Sequence, residues 1–205
     1  MKIIFVGLVA CFAVNCAVAQ ERMPRIPEDK MTDAQKAAVE EIIAGPRKAF
    51  IGPFVAMVRS PGLMSSVQKV GEYVRFGTRL DRRISEMAAL IATRQWSNQY
   101  EWHGHYPNAL KAGVKVGIID AIAEGRRPDG MAADEEILYD FLMELFANKG
   151  VSDATYAKAL AQFGEEKLID ICGNVGYYTM IAMTMNVVRT PAGEGPPPPL
   201  PPLPR

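Results

Sequence analysis

Cysteine is scarce in this chain, and the scarcity excludes more than any residue present. Among 205 residues only Cys11, Cys16 and Cys172 carry thiols. The first two lie in a leader in which Lys2 precedes the apolar run IIFVGLVACFAV and the small-x-small triplet Ala17-Val18-Ala19, the pattern of a cleaved secretory signal peptide over residues 1–20. The mature chain is then left with Cys172, cannot close an internal disulfide, and must draw its stability from a core even in an oxidising compartment. Within LIDICGNVGYY, Cys172 reads as a buried core thiol rather than a nucleophile.

Long apolar runs are missing too. The stretch from Ile3 to Ala19 is shorter than the ~20 residues of a spanning helix and is broken by Asn15, so no stable membrane span is expected. Leu8-Val9-Ala10 before Cys11 leaves a lipoprotein signal as the alternative to cleavage near Ala19 or Gln20. The expected location is secreted or periplasmic. Charge of one sign is not in excess, with 23 Lys+Arg against 23 Asp+Glu, which excludes the basic field that nucleic acid as a partner requires. Period-two alternation is also absent, so no strands are expected and the fold class is all-α.

What is present is helical punctuation. Thr32 to Gln35 forms a capping box that opens a helix over about Asp33 to Ile43, and Gly45-Pro46 should close it with glycine in a left-handed cap. A short helix over Phe54 to Val58 follows. Ser60-Pro61 starts another, to about Phe76, with Leu63, Val67, Val70 and Tyr73 or Val74 on its apolar face. Asp81 caps a helix bearing Ile84, Met87, Leu90 and Ile91 at helical spacing. Beyond Gly113 come Val116 to Ile122, Ala132 to Asn148, a helix capped by Ser152 running to about Phe163, and the most apolar one, Glu165 to Val188. The expectation is an orthogonal or antiparallel bundle of about seven helices in one domain, residues 21–190, followed by a proline-rich disordered tail at 191–205 whose loss should leave folding and activity unchanged. A docking role for the tail is the alternative.

Both histidines and both tryptophans fall within RQWSNQYEWHGHYPNALKAGV, residues 94–114. If the helix capped by Asp81 ran on through this stretch, Glu86 and His105 would stand about 28 Å apart at 1.5 Å per residue. Ser97 and Asn98 are cap residues, however, and Asn98 precedes Glu101 by three positions, which places a helix boundary at Trp96 to Asn98. Folded back there, the two helices form a hairpin that brings Glu86 level with His105. On the second helix Asn98, Glu101 and His105 share one face. Glu86, Glu101 and His105 are therefore the candidate catalytic residues, two carboxylates and an imidazole suited to general acid/base work, with Trp96, Tyr100, Trp102 and Tyr106 around them. A helix-surface pair of Glu101 and His105 without catalytic consequence fits the spacing equally well. His103 and His105 point about 200° apart on a helix and cannot share one ion, so no metal is assigned, a site of His105 and the two glutamates being the minor alternative.

Glu86, the helix from Met87 to Arg94, the phrase Tyr100-Glu101-Trp102-x-x-His105 and then Ala109-Leu110-Lys111-Ala112-Gly113 resemble the carboxymuconolactone decarboxylase family, which includes the alkylhydroperoxidase D-type proteins. The likeness runs from about Pro53 to Asn186 and takes in Ser60-Pro61 and Gly176-Tyr177-Tyr178. It implies an all-helical bundle that assembles as a homo-oligomer, a trimer or hexamer. In the peroxidase branch a Cys-x-x-Cys pair occupies the places held here by Asn98 and Glu101, so that branch's dithiol peroxide reduction is unavailable. The decarboxylase branch lacks the thiols and has the Glu-x-x-x-His arrangement that Glu101 and His105 reproduce, and its chemistry is cofactor-free proton transfer on a lactone acid. Glu86, a longer C-terminal region and the export signal depart from that branch.

The resemblance implies an exported, cofactor-free lyase- or decarboxylase-type enzyme acting on a small lactone or carbonyl acid. His105 and Glu101 are its acid/base residues, Glu86 tunes or relays, and Asn98, Tyr100, Trp102 and Arg94 are the candidate substrate contacts. A solvated Arg94 without such a role is the alternative for that residue. Two other classes stay open: an antioxidant, peroxiredoxin-like activity that would rest on Cys172 alone, and a non-catalytic helical oligomer that binds a small molecule.

Overall fold

The protein is described by a computed structural model covering residues 20–193 together with 195, 197, 200 and 201, so the expected signal peptide lies outside the described residues apart from its last position. Among the described residues there are eight α-helices and no strand: α1 Asp33–Ala44, α2 Pro53–Met57, α3 Pro61–Glu72, α4 Arg82–Gln95, α5 Gln99–Lys111, α6 Val116–Glu124, α7 Ala133–Asn148 and α8 Asp153–Val188. Gly164 breaks α8 with a φ of 73°, separating the two arms read from the sequence. None of these helices is long and apolar enough to cross a membrane.

The bundle is organised around α4. Every residue from Ile84 to Arg94 is buried, and α5, α6, α7 and α8 all pack against this helix. A helix covered on all sides is normally apolar all round. This one carries Ser85, Glu86, Thr93 and Arg94 into the interior. Asp81 caps its start by accepting from the Arg83 N–H at 2.8 Å, and Arg83 ties that end to α7 through Asp134 and Glu135.

The Thr32/Gln35 capping box forms in both directions, but Gly45 ends α1 in an extended conformation, φ −69° and ψ −179°, rather than the left-handed cap expected. On α3 the buried face is Met64, Val67, Gly71 and Val74, while Leu63 and Val70 are about half exposed, so the apolar stripe is turned from the one expected. The reason is Gly71, where α3 meets the Tyr177 ring of α8 so closely that a Cβ would stand 2.2 Å from the phenol oxygen. After Glu72 the helix widens into a π turn, Tyr73–Gly77, closed by the Thr78 N–H on the Tyr73 carbonyl. Asp170 of α8 holds this turn, accepting from the Tyr73 hydroxyl at 3.0 Å and from the Thr78 hydroxyl.

Of the proline-rich tail the structure describes residues 191–193, 195, 197, 200 and 201. Pro197 and Leu200 are buried, and Gln99 of α5 exchanges two hydrogen bonds with the Leu200 backbone, at 2.8 and 3.2 Å. The tail lies against Trp102 and His103 on the side of α5 away from Glu86. Proline-rich chain lacks the donors for a ladder, but a leucine and a glutamine amide suffice to dock it.

The Gly71 contact yields a direct expectation. Gly71→Ala forces Tyr177 out of its seat and costs about 1–3 kcal/mol, the range for overpacking, read as a lower urea midpoint at unchanged slope.

Candidate functional site

The hairpin turn is built by three short-range devices. Trp96 ends α4, Ser97 takes a left-handed φ of 45°, and Asn98 caps α5 by accepting from the Glu101 N–H at 2.8 Å. The Asn98 amide then donates to the Asn186 side chain at 2.7 Å and the Ala182 carbonyl at 3.3 Å, while Asn186 donates to the Trp96 carbonyl at 2.7 Å. The end of α8 thus clamps the turn. The Glu101 carboxylate faces His105 rather than the cap.

With the turn so held, α5 lies back along α4 and His105 meets Glu86. The Nδ1–H of His105 donates to Glu86 Oε2 at 2.6 Å, and Arg82 reaches the other oxygen of Glu86 at 2.6 Å. The opposite ring nitrogen, Nε2, faces Glu101 Oε2 at 3.4 Å. Tyr178 stands edge-on to the imidazole with centroids 4.4 Å apart. His105 and Glu86 are almost wholly buried. The two carboxylates bracket the ring from opposite sides and do not converge on one point, and among the described residues no group of three or more His, Cys, Asp and Glu is arranged to hold a metal ion.

Burial pushes the His105 pKa down, but hydrogen bonds and charges from Glu101 and Glu86 more than offset it, leaving it raised above the ordinary 6.5. For Glu86 burial pushes upward, and the His105 hydrogen bond with the charges of His105, Arg82 and Arg75 wins, leaving it below its ordinary 4.5. Both shifts favour the imidazolium and carboxylate form of the pair. Burial raises Tyr178 well beyond the usual phenol range and Tyr177 to about 12, so both phenols stay protonated.

A cavity of about 280 Å³ opens onto the Nε2 side of this group. His105, Glu101 and Tyr100 line it from α5, Tyr177 and Tyr178 from α8, and two arginines face it: Arg75 from the π turn and Arg47 from the loop after α1. Arg47 donates to the Tyr177 hydroxyl at 3.5 Å and its guanidinium lies 4.8 Å from the Phe54 ring centroid. Arg75 has a buried Nε with no hydrogen-bond partner among the described residues. Gly52, with φ 62°, gives the Tyr100 ring its place at the rim, since a Cβ there would stand 2.8 Å from the hydroxyl.

Of the expected substrate contacts only Tyr100 lines this cavity. Asn98 is absorbed by the turn, with both ends of its amide engaged. Trp102 is buried on another face of α5, its ring centroid 6.4 Å from that of Tyr106 and its edge against the tail. Arg94, whose charge suggested either a carboxylate clamp or a solvated residue, is neither at this cavity nor in solvent, being 2% exposed within the bundle. Trp96 and His103 also lie elsewhere. Arg47, Arg75 and the tyrosine pair are the residues that sequence spacing missed. Tyr177 and Tyr178 entered only as part of a family likeness, and nothing local marks an arginine in a π turn as facing a site 30 residues away.

Cys172, expected in the core, is exposed on α8 beside a separate cavity lined by Trp96 and Phe146, and partial desolvation of its sulfur pushes its pKa up. It is a weak thiolate source and does not line the His105 cavity.

The buried pair fixes the sign of a pH dependence. His105, with its pKa raised on folding, adds stability that is full below pH 6.5 and is lost as pH rises through its folded value. Glu86, with its pKa lowered, adds stability that is full above pH 4.5 and is lost as pH falls through its folded value. The stability gap between the natural chain and His105→Gln, from urea titrations, is therefore widest between those two pH values and narrows on both sides. A gap that grew steadily with pH would contradict the pairing.

No family model matches the chain, and no curated protein matches it. Among solved structures it is similar to the crystal structure of a protein of unknown function from Agrobacterium tumefaciens, named there as a candidate antioxidant defence protein, AhpD. The TM-score is 0.61 at 17% identity, over 68% of this chain and 96% of that one. That likeness shows the fold alone: the chain is all-helical and its helices are arranged as in that structure.

Proposed function

We propose that the protein is a cofactor-free lyase of the decarboxylase type, exported in its mature form, that acts on a small lactone or carbonyl acid. The observation that carries this reading is the imidazole of His105, bonded through Nδ1 to Glu86 and lining, with Glu101, a small cavity faced by Arg47 and Arg75. Two guanidiniums beside three phenols select a compact anion, and about 280 Å³ corresponds to roughly nine water volumes.

The chemistry follows from the charge state. A substrate carboxylate that sits β to a carbonyl loses CO₂ when the C–C bonding pair moves onto the carbonyl, giving an enolate. His105, resting as imidazolium, delivers its Nε2 proton to that enolate, and the neutral ring recovers a proton from water. Arg75 and Arg47 hold the remaining anionic oxygen atoms and spread the developing charge. Glu101, at 3.4 Å from Nε2, shares the proton path, and Glu86 is a positioning residue that holds the ring and keeps it charged.

Antioxidant activity is suggested by the name of the structural neighbour. In this chain it would have to use Cys172, which faces a different cavity from His105.

The test is to incubate the mature protein with a panel of lactone and keto acids, with peroxides as controls. Turnover of an acid is expected, falling about 10²- to 10⁴-fold in His105→Ala with the fold retained, the usual worth of a general acid. Arg75→Met should raise KM roughly 10- to 100-fold with a smaller change in kcat. No turnover of any acid, or peroxide turnover lost in Cys172→Ser, would overturn the reading in favour of a redox protein or a binding module.

A further inference from the structure

Exposure grades the walls of the His105 cavity from inside to outside. His105 and Glu101 are buried, Arg47 and Arg75 are half-buried, and Ile51 and Phe76, which line the same cavity, are 57% and 54% exposed. A side chain that lines a cavity and still gives half its surface to water stands where the cavity meets solvent. The mouth is therefore rimmed by a branched aliphatic chain and a phenyl ring, with the guanidiniums set deeper.

Two segments build this entrance in the same way. The loop between α1 and α2 supplies Arg47 and, four residues on, Ile51, while the π turn supplies Arg75 and the adjoining Phe76. The Arg75 guanidinium carbon lies 5.8 Å from the Phe76 ring centroid, which holds charge and ring side by side. Single apolar side chains in water are ordinary. Two that flank one opening onto a pair of guanidiniums make an amphipathic entrance, and among the described residues Glu101 is the one carboxylate lining it.

We infer that the acid taken by this cavity carries an unbranched alkyl tail that leaves through the mouth and lies against Ile51 and Phe76, an extension that rests on the cavity being the acid site proposed above. The carboxylate enters first, because the guanidiniums lie deeper than the apolar rim. The tail then covers surface that Ile51 and Phe76 otherwise give to water. A volume of about 280 Å³ takes the carboxylate, a carbonyl and the first carbons of the chain, and the remainder follows the rim. With the carbonyl β to the carboxylate, as the proposed decarboxylation requires, the substrate class is a medium-chain 3-oxo acid.

Straight-chain carboxylates from butyrate to decanoate, below their micellar concentrations, are the probes, with Kd read by calorimetry on the mature protein. Kd should fall about two- to fourfold per added methylene, the upper figure being a methylene wholly withdrawn from water. Phe76→Ser and Ile51→Ser, both at exposed positions where substitution costs the fold little, should each flatten that slope by about half. Arg75→Met should weaken every length by a similar factor, roughly 10- to 100-fold, with the slope retained. Butyrate binding that Arg75→Met weakens, with no dependence on chain length, overturns the alkyl tail and leaves the acid site standing. No binding at any length overturns both. A slope that survives in both rim variants also overturns the tail, and so does a fall in solution molar mass in Phe76→Ser with the slope unchanged, which would assign the rim to a second copy of the chain.

Discussion

One interaction governs this structure: the carboxylate of Glu86 meets the imidazole of His105 at 2.6 Å inside a bundle that admits almost no water to either. A carboxylate at the centre of a helix buried on every side has no solvent to answer it, and removing one partner of such a pair costs about 3–5 kcal/mol. The bundle must therefore present a donor at that level of α4. It does so by folding α5 back on α4, which makes the hairpin both the closure of the core and the frame of the site.

The second buried charge on α4 shows the contrast. Glu86 has Arg82 and His105, and its charge is answered within the chain. Arg94 has, among the described residues, only the Ser97 hydroxyl. The same helix thus carries one ionic group answered by Arg82 and His105 and one, Arg94, whose Nε and Nη2 have no hydrogen-bond partner among the described residues. The asymmetry separates a group the fold needs from one the fold merely accommodates.

Fold and chemistry part company here. The architecture is similar to that of a protein of unknown function at 17% identity, and that likeness reaches the fold alone; the hairpin of this chain carries Asn98 and Glu101 and no thiol. Asn98 instead caps α5 and ties the turn to α8, and Glu101 turns to the imidazole.

The sequence by itself determined the helices and their breaks, because capping and breaking are local. Thr32, Asp81, Asn98, Ser152 and Gly164 each act on a backbone within a few residues, and the meeting of Glu86 with His105 followed from placing one break correctly. Only the tertiary structure decided which faces are buried and what surrounds the imidazole. The turn of the α3 stripe depends on a close approach between Gly71 and Tyr177, the outward position of Cys172 on how α8 lies against its neighbours, and the docking of Leu200 on one glutamine of α5. Arg47 and Arg75 reach the cavity from segments remote in the chain, and Arg94, polar enough to suggest solvent, is enclosed because α5, α6, α7 and α8 all pack against α4. Periodicity gives a helix its stripe, but packing partners far along the chain choose which stripe faces inward and which charge is left to find its own counterion.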